Sequence, residues 1–165
     1  MTSISRVGAA SAVPGIERTE GVGWAIRDAL GTSPPIDRAF VEKLVELFAA
    51  ASKSRNDGPV MMGVLTCSAC VLTRGPDWMT LFDQRIEVRT TTLLVPANTF
   101  VYFVSAMVLH AMDAHSFVPS QEFVQATLAC ETPGSARYLM QLRRAGGGEY
   151  VSRVLLARKL RSRAP

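Results

Sequence analysis

Cys67-Ser-Ala-Cys70, followed by His110-Ala-Met-Asp-Ala-His115, contains two of the three cysteines and both histidines of this chain. Two thiolates and two imidazoles form the ligand set that tetrahedral zinc prefers. A C-x-x-C turn directs two sulfur atoms to one point, because its two small intervening residues allow a tight knuckle. We therefore predict a zinc centre formed by Cys67, Cys70, His110 and His115, which would join two distant parts of the fold.

The spacing of the two histidines sets a condition on this prediction. Five positions correspond to about 140° around an ideal helix, so both imidazoles reach one ion only if the last helical turn is distorted or His115 lies just beyond it. Two other interpretations stay open: core histidines with reduced cysteines, or a redox dithiol. The dithiol is disfavoured because Val-Leu-Thr-Arg-Gly-Pro after Cys70 is poor helix material. Cys130 is predicted to pack in the core, although it is able to replace a histidine as a ligand.

The ligand pattern resembles that of the Cys₂His₂ zinc fingers, in which a sulfur knuckle on a hairpin is followed by two histidines late in a helix. The resemblance covers residues 67–115 and implies a role only for the four ligand positions. In this chain 39 residues separate Cys70 from His110, where the finger pattern has about a dozen. We expect the additional residues to form further strands. This insertion argues against the use of the helix to read DNA as in an ordinary finger.

A second resemblance concerns residues 102–123, which resemble a helix–proline–helix segment of small bacterial proteins of unknown function. The shared features are a histidine-bearing helix, an aromatic residue, prolines and a Glu-Phe pair. The resemblance implies no activity. It implies that His115, Phe117 and Pro119 form one packed corner, a role that the histidines can fill without a metal.

Outside the ligand positions, helical and strand patterns alternate along the chain. Apolar residues from Phe40 to Phe48 recur with helical spacing and predict an amphipathic helix. Ser120 and Ser135 are good N-caps for two later helices, and Gly146-Gly-Gly148 separates the second from a last helix at 149–161. β-Branched and apolar segments predict strands at residues 78–82, 85–89, 91–95 and 99–103.

This order of elements predicts an α+β fold, in which a small antiparallel sheet with a zinc-knuckle hairpin is flanked by N-terminal and C-terminal helices. Residues 1–20 are small, polar and without a period, and we expect them to be a mobile arm. We expect a single globular domain at residues 21–165. It is predicted to be helical at 21–56, with a first helix from Val22 to Leu30, β-rich at 57–104 and helical at 105–162.

The net charge of +4 is unevenly distributed. Residues 1–136 carry 10 basic and 13 acidic residues, a net of −3, whereas residues 137–165 carry 8 and 1, a net of +7. Cations are common near a helix C-terminus, so one interpretation of this basic segment is a solvated helix end without a partner. The other interpretations are that it binds an acidic protein partner, nucleic acid or an anionic membrane surface. The candidate anion-binding or partner-binding residues are Arg153, Arg158, Lys159, Arg161 and Arg163.

The cysteine content and the apolar segments indicate the compartment. Three cysteines do not resemble a secreted disulfide framework, and the first residues lack the features of a signal peptide. The apolar stretch from Leu93 to Met112 is interrupted by Pro96, Asn98 and Ser105, and its continuous part is shorter than the roughly 20 residues that span a bilayer. We predict a soluble, cytoplasmic protein with no transmembrane segment.

The motifs favour binding over catalysis. No phosphate-binding glycine motif follows a predicted strand, and no G-x-S-x-G is present. Four protein ligands would leave zinc without the open position that catalytic sites keep. We therefore expect a non-enzymatic protein-binding or adaptor module stabilised by structural zinc. The alternative is a nucleic-acid-binding regulatory protein that uses the basic C-terminal helix; no pattern indicates an oligomeric state.

Overall fold

The computed structural model describes residues 13–23, 37–53, 65–67, 69–70 and 73–163. Within these ranges the chain has five strands and five helices, and the predicted α+β fold is confirmed. The strands are β1 (Thr19–Val22), β2 (Trp78–Leu81), β3 (Gln84–Glu87), β4 (Thr92–Pro96) and β5 (Val101–Ser105). The helices are α1 (Arg38–Lys53), α2 (Met107–His115), α3 (Gln121–Ala129), α4 (Ala136–Arg144) and α5 (Gly148–Arg161).

A three-stranded sheet forms the centre of the core. Its order is β1-β5-β4; β5 is antiparallel to β4 and parallel to β1. All five residues of β5 and the first four of β4 are buried, so this sheet is covered on both faces. The prediction of an antiparallel sheet is confirmed for β4 and β5, and β1 adds a parallel edge that the sequence did not indicate.

The second sheet is the β2–β3 hairpin. Its strands are joined by Phe82-Asp83, whose φ angles of 47° and 60° match the left-handed conformation of a type I′ turn. Ile86 of β3 is buried. Helix α1 packs against β3, and its predicted apolar stripe is confirmed, since Phe40, Leu44, Val45, Leu47 and Phe48 are all buried.

The C-terminal helices begin and end close to the predicted residues. Ser120 Oγ accepts a hydrogen bond from Phe123 N–H, and Ser135 Oγ accepts one from Tyr138 N–H, so both predicted N-caps are confirmed. The buried Tyr138 hydroxyl donates to the Leu94 carbonyl at 2.8 Å, which fastens α4 to β4.

Packed residues begin earlier in the chain than the predicted mobile arm at 1–20 allows. Val13 and Ile16 are buried, and the Tyr150 N–H of α5 donates to the Gly15 carbonyl at 3.0 Å. Val13 and Ile16 are therefore part of the core, and the segment is held by backbone hydrogen bonds to α5 and, from Arg18 onward, to β5. Residues 1–12 lie outside the described residues. Of the helix predicted from Val22 to Leu30, the described residues include only Val22, which ends β1, and Gly23, whose φ of 78° is not helical.

Candidate metal centre

Cys67 and Cys70 lie in a loop that closes on itself before β2. The Cys67 N–H donates to the Arg74 carbonyl at 2.8 Å, and the Arg74 N–H donates to the Cys70 carbonyl at 2.9 Å. Arg74 has a φ of 57° and Gly75 a φ of 83°, both in the left-handed region, and the chain reverses its direction at these two residues. These contacts form the predicted knuckle, although Ser68 between the two cysteines lies outside the described residues.

Gly75 brings the knuckle close to the histidine side of the centre. A Cβ atom at this position would lie 3.0 Å from the Cys67 Cβ and 3.5 Å from the His110 Nε2. Its φ of 83° is also one that residues with a side chain rarely adopt. Both the conformation and the close approach therefore require glycine.

Arg89, just after β3, holds the knuckle against the hairpin. Its guanidinium donates to the Gly75 carbonyl at 3.1 Å and pairs with the Asp77 carboxylate at 2.7 Å. The backbone adds two bonds, from Val88 N–H to the Asp77 carbonyl and from Leu65 N–H to the Arg89 carbonyl, each 3.0 Å long. The position of the cysteine loop is therefore set by β3 and the residues just after it.

The two histidines lie on α2, which starts one residue after the central strand β5. Ser105 Oγ accepts a hydrogen bond from the Met107 N–H at the start of the helix. At the other end Ser116 has a φ of 52°, and its N–H donates to the Ala111 carbonyl, five residues back instead of four. A hydrogen bond of this span widens the turn and brings residues five apart closer to one face. This is the distortion that the spacing of His110 and His115 required.

The four ligand atoms converge, as the sequence predicted. All of them lie within 4.8 Å of one another. The Nε2 atoms of His110 and His115 are 3.2 Å apart, and Cys67 Sγ is 3.2 Å from His115 Nε2. Cys70 Sγ is 3.3 Å from each Nε2. With bonds of about 2.3 Å to sulfur and about 2.0 Å to nitrogen, a tetrahedral zinc ion places two nitrogens about 3.3 Å apart and nitrogen and sulfur about 3.5 Å apart.

The protein environment favours the uncharged forms of the two buried ligands. Burial raises the pKa of the Cys67 thiol, and the neighbouring Cys70 sulfur raises it further against the lowering effect of backbone N–H groups. Burial also lowers the pKa of His110, as does the charge of His115, with Asp113 opposing them. A neutral imidazole is the form that binds a metal, whereas a thiol must lose its proton. Metal binding is therefore expected to release protons from the cysteines.

Cys130, the other ligand candidate, is not part of the convergent group. Cys130 is buried at the end of α3, where its thiol donates to the Glu131 carbonyl and burial raises its pKa to about 12. Its predicted packing role is confirmed. Asp113, between the histidines, is exposed. Pro119 is buried and Phe117 is half-buried against the core, which fits the predicted packed corner beside His115.

The five basic candidates lie on α5 or just after it, far along the chain from the ligands. Arg153 donates to the Pro14 carbonyl, and its Nε is 4.0 Å from the Glu149 carboxylate. Arg158 donates to the Gly134 carbonyl at 2.9 Å. Two of the five therefore support neighbouring segments, while the other three side chains are exposed: Lys159, Arg161 and Arg163.

Sequence reasoning did not identify Gly75 or Arg89 as supports of the centre. A glycine five residues after the second cysteine was a usable signal, because a knuckle that reverses the chain needs a residue that tolerates positive φ. No local signal indicates Arg89, whose role depends on the pairing of β2 with β3.

Comparisons with known proteins identify a family. A family model described as Domain of unknown function (DUF7919) matches residues 3–128, which are 126 of the 165 residues. The match includes all four ligand positions, whereas α4 and α5 lie beyond it. No curated protein and no solved structure matches the chain.

Proposed function

The chain belongs to the DUF7919 family, and we propose that it is a non-enzymatic protein-binding or adaptor module stabilised by a structural zinc ion. The observation that carries the proposal is the convergence of Cys67, Cys70, His110 and His115: four of the six donor–donor distances are 3.2–3.3 Å, and all are within 4.8 Å. Zinc is the ion best suited to two thiolates and two imidazoles.

The arrangement of donors favours a structural role for the ion. Four protein ligands complete a tetrahedron, so no position remains for a water molecule or a substrate. Cys67 and His110 are buried, which limits access to the ion from one side. A closed site of this kind contributes folding free energy rather than chemistry.

The ion would join two segments that are far apart in the sequence, and this also supports a structural role. The knuckle is fastened to the β2–β3 hairpin through Arg89, and the histidines belong to a helix that continues the central strand β5. Zinc would therefore cross-link the two sheets. A module held in this way presents a rigid surface, which reduces the entropic cost of binding a partner.

Cytoplasmic location is part of the proposal. All three cysteines are free thiols, as expected in a reducing compartment. Among the described residues, no helix combines the length and apolar character that crossing a bilayer requires.

Metal analysis of the purified full-length chain tests the proposal. We expect about one zinc ion per chain without added metal, and its loss in Cys67→Ser and His110→Ala with loss of folding. Cys130→Ala is the matched control, since it removes the cysteine outside the centre and should keep the zinc. Reconstitution of the chelated wild type with Co²⁺ should give the visible absorption of a tetrahedral thiolate site, which tests the ligands even if the variants do not fold. A folded wild type that contains no metal and takes up none would contradict the proposal.

The alternative is a nucleic-acid-binding regulatory protein that uses the basic C-terminal helix. The observation in its favour is the net charge of +7 on residues 137–165. Arg153 and Arg158 contact carbonyl groups of the chain itself, which leaves fewer cations for phosphates. DNA binding that weakens steeply with salt would support this alternative, whereas a salt-tolerant protein complex would support the adaptor.

A further inference from the structure

We infer that the outer face of α5 is a docking site for an acidic, amphipathic segment of a partner protein. This face, here called the α5 face, consists of Leu156 and Leu160 with Lys159 and Arg163 beside them. The inference rests on the proposed function, because it specifies the surface and the partner chemistry of the proposed binding module.

The exposed leucines are the first observation. The N-terminal half of α5 is held in the core by Tyr150, Val151 and Val154, which are all buried. Leu156 and Leu160 are 58% and 61% exposed. They lie four residues apart and therefore next to each other on one side of the helix. Two adjacent, well-exposed leucines on an ordered helix form an apolar contact against which the apolar side of a second amphipathic helix packs.

The charge around these leucines is the second observation. Residues 137–163 contain eight basic residues and one acidic residue. Lys159 and Arg163 are exposed; Lys159 directly precedes Leu160, and Arg163 follows it by three positions, just after the end of α5. A partner that covers the leucines must come close to these cations. Electrostatic complementarity therefore requires acidic groups around its apolar contact.

The distribution of these residues argues against three other occupants. A second copy would bring like charges together in a symmetric contact. Lys159 lies between Leu155 and Leu156 around the helix, so the leucines form no undivided apolar face for a membrane surface. Exposed leucines add nothing to phosphate contacts, and α5 offers no exposed aromatic residue for stacking on bases.

The position of α5 fits a role in partner recognition. The helix lies beyond residues 3–128, the range that the family model matches. Its N-terminus is nevertheless fixed, because Tyr150 N–H bonds the Gly15 carbonyl and Arg153 bonds the Pro14 carbonyl. A rigid helix outside the matched region presents a preorganised docking face without involving the metal centre.

Binding of a designed peptide to the full-length, zinc-loaded protein tests the inference. The probe is a fluorescein-labelled acidic helix with leucines at i, i+3, i+4 and i+7 and glutamates elsewhere. A scrambled peptide of the same composition, vesicles of phosphatidylcholine and phosphatidylglycerol, and a random DNA duplex are the comparison probes. The variants are Leu156→Ser with Leu160→Ser, and Lys159→Glu with Arg163→Glu. Leu128→Ser is the matched control, because Leu128 is an exposed leucine on α3.

We expect the acidic peptide to bind at least about tenfold more tightly than the scrambled one, and each double variant to lose at least about tenfold. Leu128→Ser should bind like the wild type. No binding of the acidic peptide, equal binding by the leucine double variant, or tighter binding of vesicles or DNA would each overturn the inference. Zinc content is measured in every variant. Retained zinc with lost peptide binding separates the docking face from the metal centre, whereas a zinc-free wild type would instead count against the proposed function.

Discussion

Replacement of Gly75 by alanine should weaken zinc binding without removing a ligand. The new Cβ would lie 3.0 Å from the Cys67 Cβ and 3.5 Å from the His110 Nε2, between the two halves of the centre. Gly75 also has a φ of 83°, and the left-handed region costs a residue with a side chain about 1–2 kcal/mol. The contact with Cys67 adds to this cost, because one of the two carbon atoms must move by a few tenths of an ångström.

The expected loss of affinity follows from where the strain is relieved. A knuckle without metal is free to move Cys67 away from His110, and so avoids most of the strain. A bound zinc ion would prevent this movement, because a tetrahedral ion would keep the Cys67 sulfur about 3.5 Å from each histidine nitrogen. A strain of about 2 kcal/mol that is present only in the bound state corresponds to about a 30-fold weaker zinc affinity.

Competition with a chromophoric chelator measures this affinity, and urea unfolding with and without zinc measures stability. Gly15→Ala is the matched control: its φ is 81° and its Cβ would lie 2.8 Å from the Tyr150 backbone nitrogen of α5, with no ligand and no residue of α2 among its nearest neighbours. We expect Gly15→Ala to lower stability with little change in the intrinsic zinc affinity of the folded chain. An unchanged zinc affinity in Gly75→Ala, or an equal loss in Gly15→Ala, would refute the link between the knuckle and the ion.

Three further predictions concern the rest of the fold. Tyr138→Phe should cost about 1–2 kcal/mol, because the buried hydroxyl bonds the Leu94 carbonyl. Burial raises the Tyr138 pKa well above 10, so the stabilisation by its hydroxyl is complete below pH 10 and falls at higher pH, where the tyrosine of the unfolded chain ionises. The urea midpoint should therefore fall less steeply above pH 10 in Tyr138→Phe than in the wild type, and an equal pH dependence of the two midpoints would contradict this. Cys130, whose pKa is raised to about 12, should resist iodoacetamide at pH 8 until the chain unfolds, and mass spectrometry that finds it alkylated in the native protein would contradict its burial. Ser120→Ala and Ser135→Ala should each lower stability by about 1 kcal/mol through loss of an N-cap, and thermal unfolding that leaves both unchanged would exclude a capping role.

The features that the sequence predicted well have local causes. Ser120 and Ser135 satisfy N–H groups three residues ahead, so the starts of α3 and α4 depend only on neighbouring residues. The ligand set was also visible, because Cys67 and Cys70 form a short motif and the chain has no other histidines than the two of α2.

The features that the sequence did not predict depend on distant partners. Thr19-Glu-Gly-Val22 contains a glycine and a glutamate and has low strand propensity, but it forms β1 because β5 supplies a buried parallel partner. The same limit applies to Arg89, which reaches Gly75 only after β2 and β3 have paired. The packing of residues 13–18 has the same cause, since Gly15 and Arg18 are hydrogen-bonded to Tyr150 of α5 and Val101 of β5, both distant in the sequence.

The geometry of the candidate centre follows from how the two sheets are placed. The register of β5 between β1 and β4 fixes the start of α2, because Ala106 alone separates strand and helix. The widened turn before Ser116 then directs His115 toward His110. The hairpin positions the cysteines independently of this, through Arg89. Because each pair of ligands is built on a different sheet, neither sheet forms the tetrahedron alone, and an ion bound there reports the correct docking of the hairpin against the core.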